Sequence, residues 1–341
     1  MNVRQIQAFL AIINYGGIRA AGRAIHLSPS AITRSVAQLE EELHCVLLIR
    51  GNSGSGELTA EGKAFLPYAT SIMEELSRAQ ETISQMNGGD VGTVRAAVSP
   101  FLPSHVVSKA FHLFRNRFKR VNLEIRDGLY AHALPALQAG RIDFAVTLIT
   151  DTLVWPNDNF AVKRLFNVRQ GLIAHKDHPI HKSKNPLDVS RYEWLITADN
   201  LEDAKNRIGE TFVKKGVPWP TNITVCDLEQ HDQLLRDPSS DVIGVAPLTL
   251  QEEREEKKGI LKLVRFEESP LEKLLMLPDL IGAYLTRSSI PLTPAGQYFA
   301  DCLLYSIASW QKENPELFVS NECKAVASNP FEKAEERSAA S

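Results

Sequence analysis

Four polar side chains pose the first question. Ser30, Thr33, Arg34 and Gln38 recur at helical spacing inside AIHLSPSAITRSVAQLEEEL, residues 24–43. An arginine, an amide and two hydroxyls are groups that hydrogen-bond base edges and phosphates. A second set lies further along. Ser99, Thr147 and Thr197 fall at or near the ends of expected strands, as do Leu148 and Ala246-Pro247. Open α/β sheets bind ligands there, often against helix N-termini. The Ser99 hydroxyl and nearby N–H groups could hold a carboxylate or sulfonate; a plain N-cap serine explains the residue equally well. The groups that catalysis would need are missing. The chain has no GxxxxGK followed by Ser or Thr, no GxGxxG after a strand, no HExxH and no GxSxG. Nine histidines show no metal-ligand spacing and four cysteines form no CxxC pair, so neither metal nor cofactor is assigned.

The elements that must position these residues are legible from the apolar ones. Ile32, Val36, Leu39 and Leu43 form one stripe of a helix whose start is marked by Ser28, a good N-cap, and Pro29 at N1. Ile6, Phe9, Leu10 and Ile13 mark an earlier helix, broken at Gly16-Gly17, and Ile18, Ala21 and Ile25 a short one. Short helix, tight turn and amphipathic helix outline a helix-turn-helix. Val46–Ile49 and Glu57-Leu58 flank GNSGSG as a small hairpin, or wing, that carries Arg50. Thr59 can cap the next helix, where Phe65, Ala69, Ile72, Leu76, Ala79, Ile83 and Met86 keep a heptad seam. A 3.5-residue period over about three heptads favours a partner helix.

Such a module, paired, would set two recognition helices about one turn of DNA apart. The net charge of -3 requires any nucleic-acid contact to be local. Glu40, Glu41 and Glu42 read as the solvated far end of the third helix. An interaction protein without DNA binding would keep the seam but has no need of the capped short-turn helix and wing.

From Thr93 the chain alternates strands and helices, which predicts two mostly parallel, doubly wound α/β subdomains with a cleft between them. A composition of 44% hydrophobic and 23% charged residues fits a soluble globular class. The absence of a signal peptide and the scattered cysteines lead us to expect a cytoplasmic protein without membrane association.

Residues 1–66 resemble the winged helix-turn-helix of the LysR-type transcriptional regulators. The resemblance rests on Phe9, Gly16, Ala20-Ala21, His26-Leu27-Ser28, Ala31–Arg34, Leu39–Leu43, Leu47–Arg50 and Leu58–Gly62 in order. Pro29-Ser30 stands where the family often has Gln-Pro, and Gly17 where a capping serine is common. RDGLYAHALPALQAGRIDFAVT (126–147), His178-Pro179, DVIGVAP (241–247) and IGAYLTRSSIPLTPAG (281–296) extend the resemblance to about residue 310. The run 126–147 is most similar to the subgroup responding to toluenesulfonate or sugars.

The resemblance implies a winged helix-turn-helix at 1–59, a linker and dimerisation helix at 60–87 and a hinge at 88–92. It implies a periplasmic-binding-protein-like effector domain at 93–310, with subdomain I from 93–163 and 268–310 and subdomain II from 164–267. The polar residues 311–341 are expected to form a disordered tail. Ser28, Ser30, Thr33, Arg34, Gln38 and Arg50 would contact promoter DNA. A small-molecule effector, a small organic acid among the possibilities, would meet Ser99, Phe101, Gly128, Thr147, Leu148, Thr197, Ala246 and Pro247. The chain would form homodimers through the linker helix and homotetramers from these.

Overall fold

Asn2 starts the first helix, α1 (Val3–Tyr15). Its side chain accepts from Gln5 N at 3.1 Å, while Gln5 Oε1 accepts from Asn2 N at 2.7 Å, a reciprocal cap. The computed structural model describes residues 1–49, 56–150, 159–215, 218–220, 222–248, 259–266 and 277–319. They form two units, one of Met1–Gly89 with Ala139–Arg141, the other of Asp90–Gln138 with the chain from Ile142 onward.

In the first unit α1 stops at Gly16, whose φ is 74°, and α2 (Ile18–Ala24) starts at Gly17, whose φ is 148°. Both values lie where a Cβ is strained. Gly17 therefore serves the backbone, and α2 has no side-chain cap. The third helix, α3 (Pro29–Leu43), begins as its sequence predicts, with Ser28 Oγ accepting from Ala31 N at 3.2 Å. Ile6, Phe9, Ile12, Ala21, Ile32, Val36, Leu39 and Leu47 close one core between these helices and the wing.

Glu40 corrects the reading of the glutamates as a solvated end. It is buried, and its Oε1 accepts from Leu47 N at 2.8 Å and Leu48 N at 3.1 Å, tying α3 to the wing strand. Glu42 accepts from Gln5 Nε2 at 3.0 Å, and of the three only Glu41 is exposed without such a role. The wing pairs at Leu48 and Leu58, with Ile49 N donating to Glu57 O at 2.8 Å.

Thr59 Oγ1 accepts from Gly62 N at 2.9 Å and so caps α4 (Ala60–Met86). The heptad residues of α4 divide. Phe65 and Ala69 pack into the core of the first unit, whereas Ile72, Ala79, Ile83 and Met86 are exposed, the last two at 60% and 69%.

The second unit holds two five-stranded sheets. The first is built from β1 (Thr93–Val98), β2 (Asn122–Asp127), β3 (Phe144–Thr150), β4 (Phe160–Val168) and, far along the chain, β10 (Leu280–Arg287), in the order β2-β1-β3-β10-β4. The second comprises β5 (Gln170–His175), β6 (Glu193–Thr197), β7 (Asn222–Cys226), β8 (Val242–Pro247) and β9 (Leu261–Leu263), in the order β7-β6-β8-β5-β9. Four strands of each sheet run in one direction and one runs against them, β10 in the first and β5 in the second, so the sheets are mostly parallel in direction, as expected, with one antiparallel strand each. The antiparallel strands are those that carry the chain between subdomains and back, which a strand–helix count cannot reveal.

Helices α5 (Ser104–Arg117), α6 (Tyr130–Gln138) and α9 (Pro294–Glu313) belong with the first sheet, and α7 (Leu201–Lys215) and α8 (Leu228–Arg236) with the second.

Three expected boundaries move. β4 stays in the first sheet through Val168, so the chain crosses at Arg169 and not at 164. Leu277 still packs in the second core and Pro278 O accepts from Gln170 Nε2 at 2.6 Å, so the return comes after 268. At the C-terminal side α9 runs to Glu313, and Phe318 packs edge-on against Phe166 and Trp310, with Val319 N donating to Asn167 O at 3.0 Å. The ordered chain therefore passes 310, held by aromatic contacts that have no periodicity. Residues 320–341 lie outside the described residues.

Candidate functional sites

Two sites assemble, one in each unit. On α3, Ser28, Ser30, Thr33, Arg34 and Gln38 are all exposed, opposite the stripe of Ile32, Val36 and Leu39. Their hydrogen bonds separate them. Ser28 Oγ is the cap and lies 3.0 Å from Ser30 Oγ, and Thr33 Oγ1 donates to Pro29 O at 2.9 Å. The Thr33 proton is thus used inside the helix, which leaves that oxygen as an acceptor. Arg34 and Gln38, one turn apart on the same edge, make no ion pair or side-chain hydrogen bond with a described residue. They are the two long donors that remain available to an outside acceptor. Arg50 lies outside the described residues.

In the second unit the C-terminal ends of β1 and β3 open onto a pocket of about 350 Å³, which includes space open to solvent. Ser99, Phe101, Gly128, Thr147 and Leu148 of the expected set all line it. Ser99 is held by its backbone, Ser99 N donating to Val146 O at 2.7 Å, and its Oγ accepts from Phe101 N at 3.3 Å. It is not the helix cap, because α5 starts only at Ser104 after Pro103. Gly128 packs against the end of β1; a Cβ there would come within 2.4 Å of Val98 C. Only glycine lets the loop before α6 approach so closely. Thr147 is fully buried, and its Oγ1 has no hydrogen-bond partner among the described residues.

The other three expected residues are not on this lining. Thr197 is buried at the end of β6, Ala246 packs with Ile173 and Leu195, and Pro247 pairs opposite Gln170. Sequence reasoning missed Leu129, Tyr130 and Ala131 of the α6 start, and Asp203 in the first turn of α7. The first three sit inside the RDGLYAHA run and were within reach; Asp203 comes from the other subdomain and carries no local signal. Burial raises the Tyr130 phenol above its ordinary pKa, so it is a neutral donor at physiological pH. At the rim His132 of α6 lies 2.7 Å from Asp199 Oδ1 through Nε2, linking the two subdomains. No helix among the described residues is long and apolar enough to cross a membrane.

Comparison with known proteins gives the same division of the chain. Residues 3–63 match the bacterial regulatory helix-turn-helix protein, lysR family, and residues 87–276 the LysR substrate binding domain. The probable HTH-type transcriptional regulator LrrA of Synechococcus elongatus is 27% identical over 201 residues, covering 58% of this chain and 65% of that protein. The chain thus spans somewhat under two thirds of that relative's length. Among solved structures, full-length CbnR complexed with its target DNA aligns with a TM-score of 0.59 at 19% identity, over 90% of this chain and 100% of that one. LysG from Corynebacterium glutamicum, solved with bound effector Arg, aligns at 0.57 and 20% identity, over 91% and 99%. These two likenesses concern the fold. With its helix-turn-helix and more than half its length matched by the family's two domains, the chain belongs to the LysR family.

Proposed function

We propose that this chain is a DNA-binding transcriptional regulator of the cytoplasm and not an enzyme, switched by a small-molecule effector between the two subdomains of its second unit. The observation that carries the reading is the outer face of α3. A helix capped by Ser28 presents Arg34 and Gln38 without internal partners, on the far side from a fully apolar stripe. That is the arrangement of a helix made to enter a major groove, with its N-terminal residues at the base edges. Ser30 and Thr33 add short acceptors on the same face, and Arg50 of the wing meets phosphate or the minor groove.

The exposed end of the α4 seam would pair two chains on a pseudo-palindromic site, and pairs of dimers would form the tetramer. The effector is a small organic acid received by Ser99 and Thr147. It must bind one arrangement of subunits better than the other, because equal affinity shifts nothing. The resemblance of residues 126–147 to the toluenesulfonate- or sugar-responsive subgroup adds sulfonates and sugars to the compounds for a first binding screen.

Genomic footprinting with the purified protein tests the reading and would name the operator. A mobility-shift titration then reads Arg34→Ala. A bidentate contact to guanine predicts a loss of about 1–3 kcal/mol in specific affinity, with weak non-specific binding retained. Unchanged affinity removes Arg34 from the reading set, and absence of any footprint sinks the regulator itself.

A further inference from the structure

The charge of the pocket narrows its ligand further than its position does. We propose that the effector is a compact zwitterion, with its acidic end at Ser99, Thr147 and the first turn of α6 and its protonated amine at Asp203; this deepens the effector reading above and depends on it.

Two independent observations converge on the pocket. The first is Thr147 Oγ1, buried inside β3 at the pocket wall without a hydrogen-bond partner. Buried hydroxyls are nearly always satisfied, so an orphan on a pocket wall calls for a ligand atom. Beside it Ser99 Oγ accepts one bond, from Phe101 N, and has its own proton to give. The start of α6 completes this end, since the first N–H groups of a helix have no partner within it and favour an anion.

The second observation is Asp203. Among the described residues of the lining it is the one carboxylate, and none of them is a lysine or arginine. Its place in the first turn of α7 suits an acid for local reasons: Asn200 Oδ1 accepts from Asp203 N at 2.9 Å, and Asp203 Oδ2 accepts from Asp199 N at 3.4 Å. Those contacts use one carboxylate oxygen. Oδ1 has no partner among the described residues. The neighbouring acids are engaged elsewhere, Asp127 Oδ1 by Leu129 N at 2.9 Å and Asp199 Oδ1 by His132 at 2.7 Å.

A ligand that fills the pocket strips water from Asp203. An uncharged occupant would leave that carboxylate desolvated and unpaired, and a plain anion would add repulsion. A protonated amine removes both costs, while the acidic end takes the hydroxyls. The enclosed part of this pocket is small, which fits a short amino acid or aminosulfonate and excludes a bulky ligand.

Calorimetry on the full-length protein with matched pairs tests this. The pairs are L-alanine and propanoate, 4-aminobutanoate and butanoate, and taurine and ethanesulfonate. At least one aminated member should bind, tenfold or more tighter than its partner without the amine. Asp203→Asn should abolish that preference, and its unliganded melting temperature should hold, because the asparagine oxygen still accepts from Asp199 N. Asp203→Glu keeps the charge and should keep the preference. Equal binding of both members, or a preference unchanged in Asp203→Asn, overturns the zwitterion and leaves the effector site standing. Binding by no compound of either kind overturns both.

Discussion

His132 Nε2 lies 2.7 Å from Asp199 Oδ1, a hydrogen bond that joins α6 of one subdomain to the loop before α7 of the other. Asp127 Oδ2 is 3.9 Å from the other ring nitrogen, so the imidazole stands between two carboxylates at the rim of the pocket. Both partners are substantially exposed, and an exposed pair contributes at most about 1 kcal/mol. Its effect should therefore appear in geometry more than in stability. In His132→Ala the distances between spin labels on α6 and α7, measured by pulsed electron resonance, should spread to longer values, while the melting temperature changes little. An unchanged distribution would show that the bond does not hold the subdomains together.

Glu40 supports the wing from inside. Its carboxylate is the acceptor for two backbone donors, Leu47 N and Leu48 N, the first of them buried. Glu40→Ala orphans both, at a cost of about 2–3 kcal/mol. Amide exchange at Leu47 and Leu48 should become about two orders of magnitude faster. Glu40→Gln keeps an acceptor and should lose less than half as much protection. Equal protection in all three proteins would mean that the wing is held by something else.

The seam of α4 predicts an association. Ile83 and Met86 are mostly exposed although they continue the spacing of Phe65 and Ala69, which are covered by their own unit. Leu76→Asp with Ile83→Asp would place charge on the proposed partner face without touching the first core. Sedimentation equilibrium should show a monomer for the double variant at concentrations where the parent is dimeric. A dimer that survives both changes must be held by another surface.

His178 predicts a loss of stability in acid. Its Nδ1 accepts from Ile180 N at 3.1 Å, its Nε2 is within ion-pair distance of Asp241 at 3.1 Å but outside hydrogen-bond alignment, and Tyr192 stacks edge-on at 4.6 Å. Burial lowers its pKa; Asp241 opposes this, and His181 and His175 add to it. His181 is lowered too, by burial first. The unfolded chain takes up protons near pH 6.5, above the pH at which the folded rings do. The neutral rings are therefore fully compatible with the fold above that pH, and stability falls as the pH drops from there through the folded pKa. Melting temperature should decline between about pH 7 and pH 5. His178→Gln, which keeps an acceptor for Ile180 N and does not titrate, should flatten the slope. An equal slope in the variant would assign it to other groups.

Some of this architecture was written locally. Ser28-Pro29 and Thr59 mark helix starts because a cap needs only a side-chain oxygen within three residues of the N–H it satisfies, and the structure shows both bonds. The stripe of Ile32, Val36 and Leu39 and the alternation from Thr93 are likewise properties of neighbouring residues. The end of β1 at Ser99 and the glycine at 128 were legible for the same reason. What required the tertiary structure were relationships between distant segments. Glu40 looked like one of three surface acids until Leu47 and Leu48 came under it. Asp203 and Thr147 are 56 positions apart, and nothing in either neighbourhood says that they share a pocket. β4 and β10 pair across more than a hundred residues, which sets one reversed strand inside a sheet whose other strands all run the same way. Periodicity and capping energies act over a few residues, so the sequence by itself determined the elements and their ends. Burial, orphaned hydroxyls and shared carboxylates arise only when remote segments exclude water together, and that was decided by the fold.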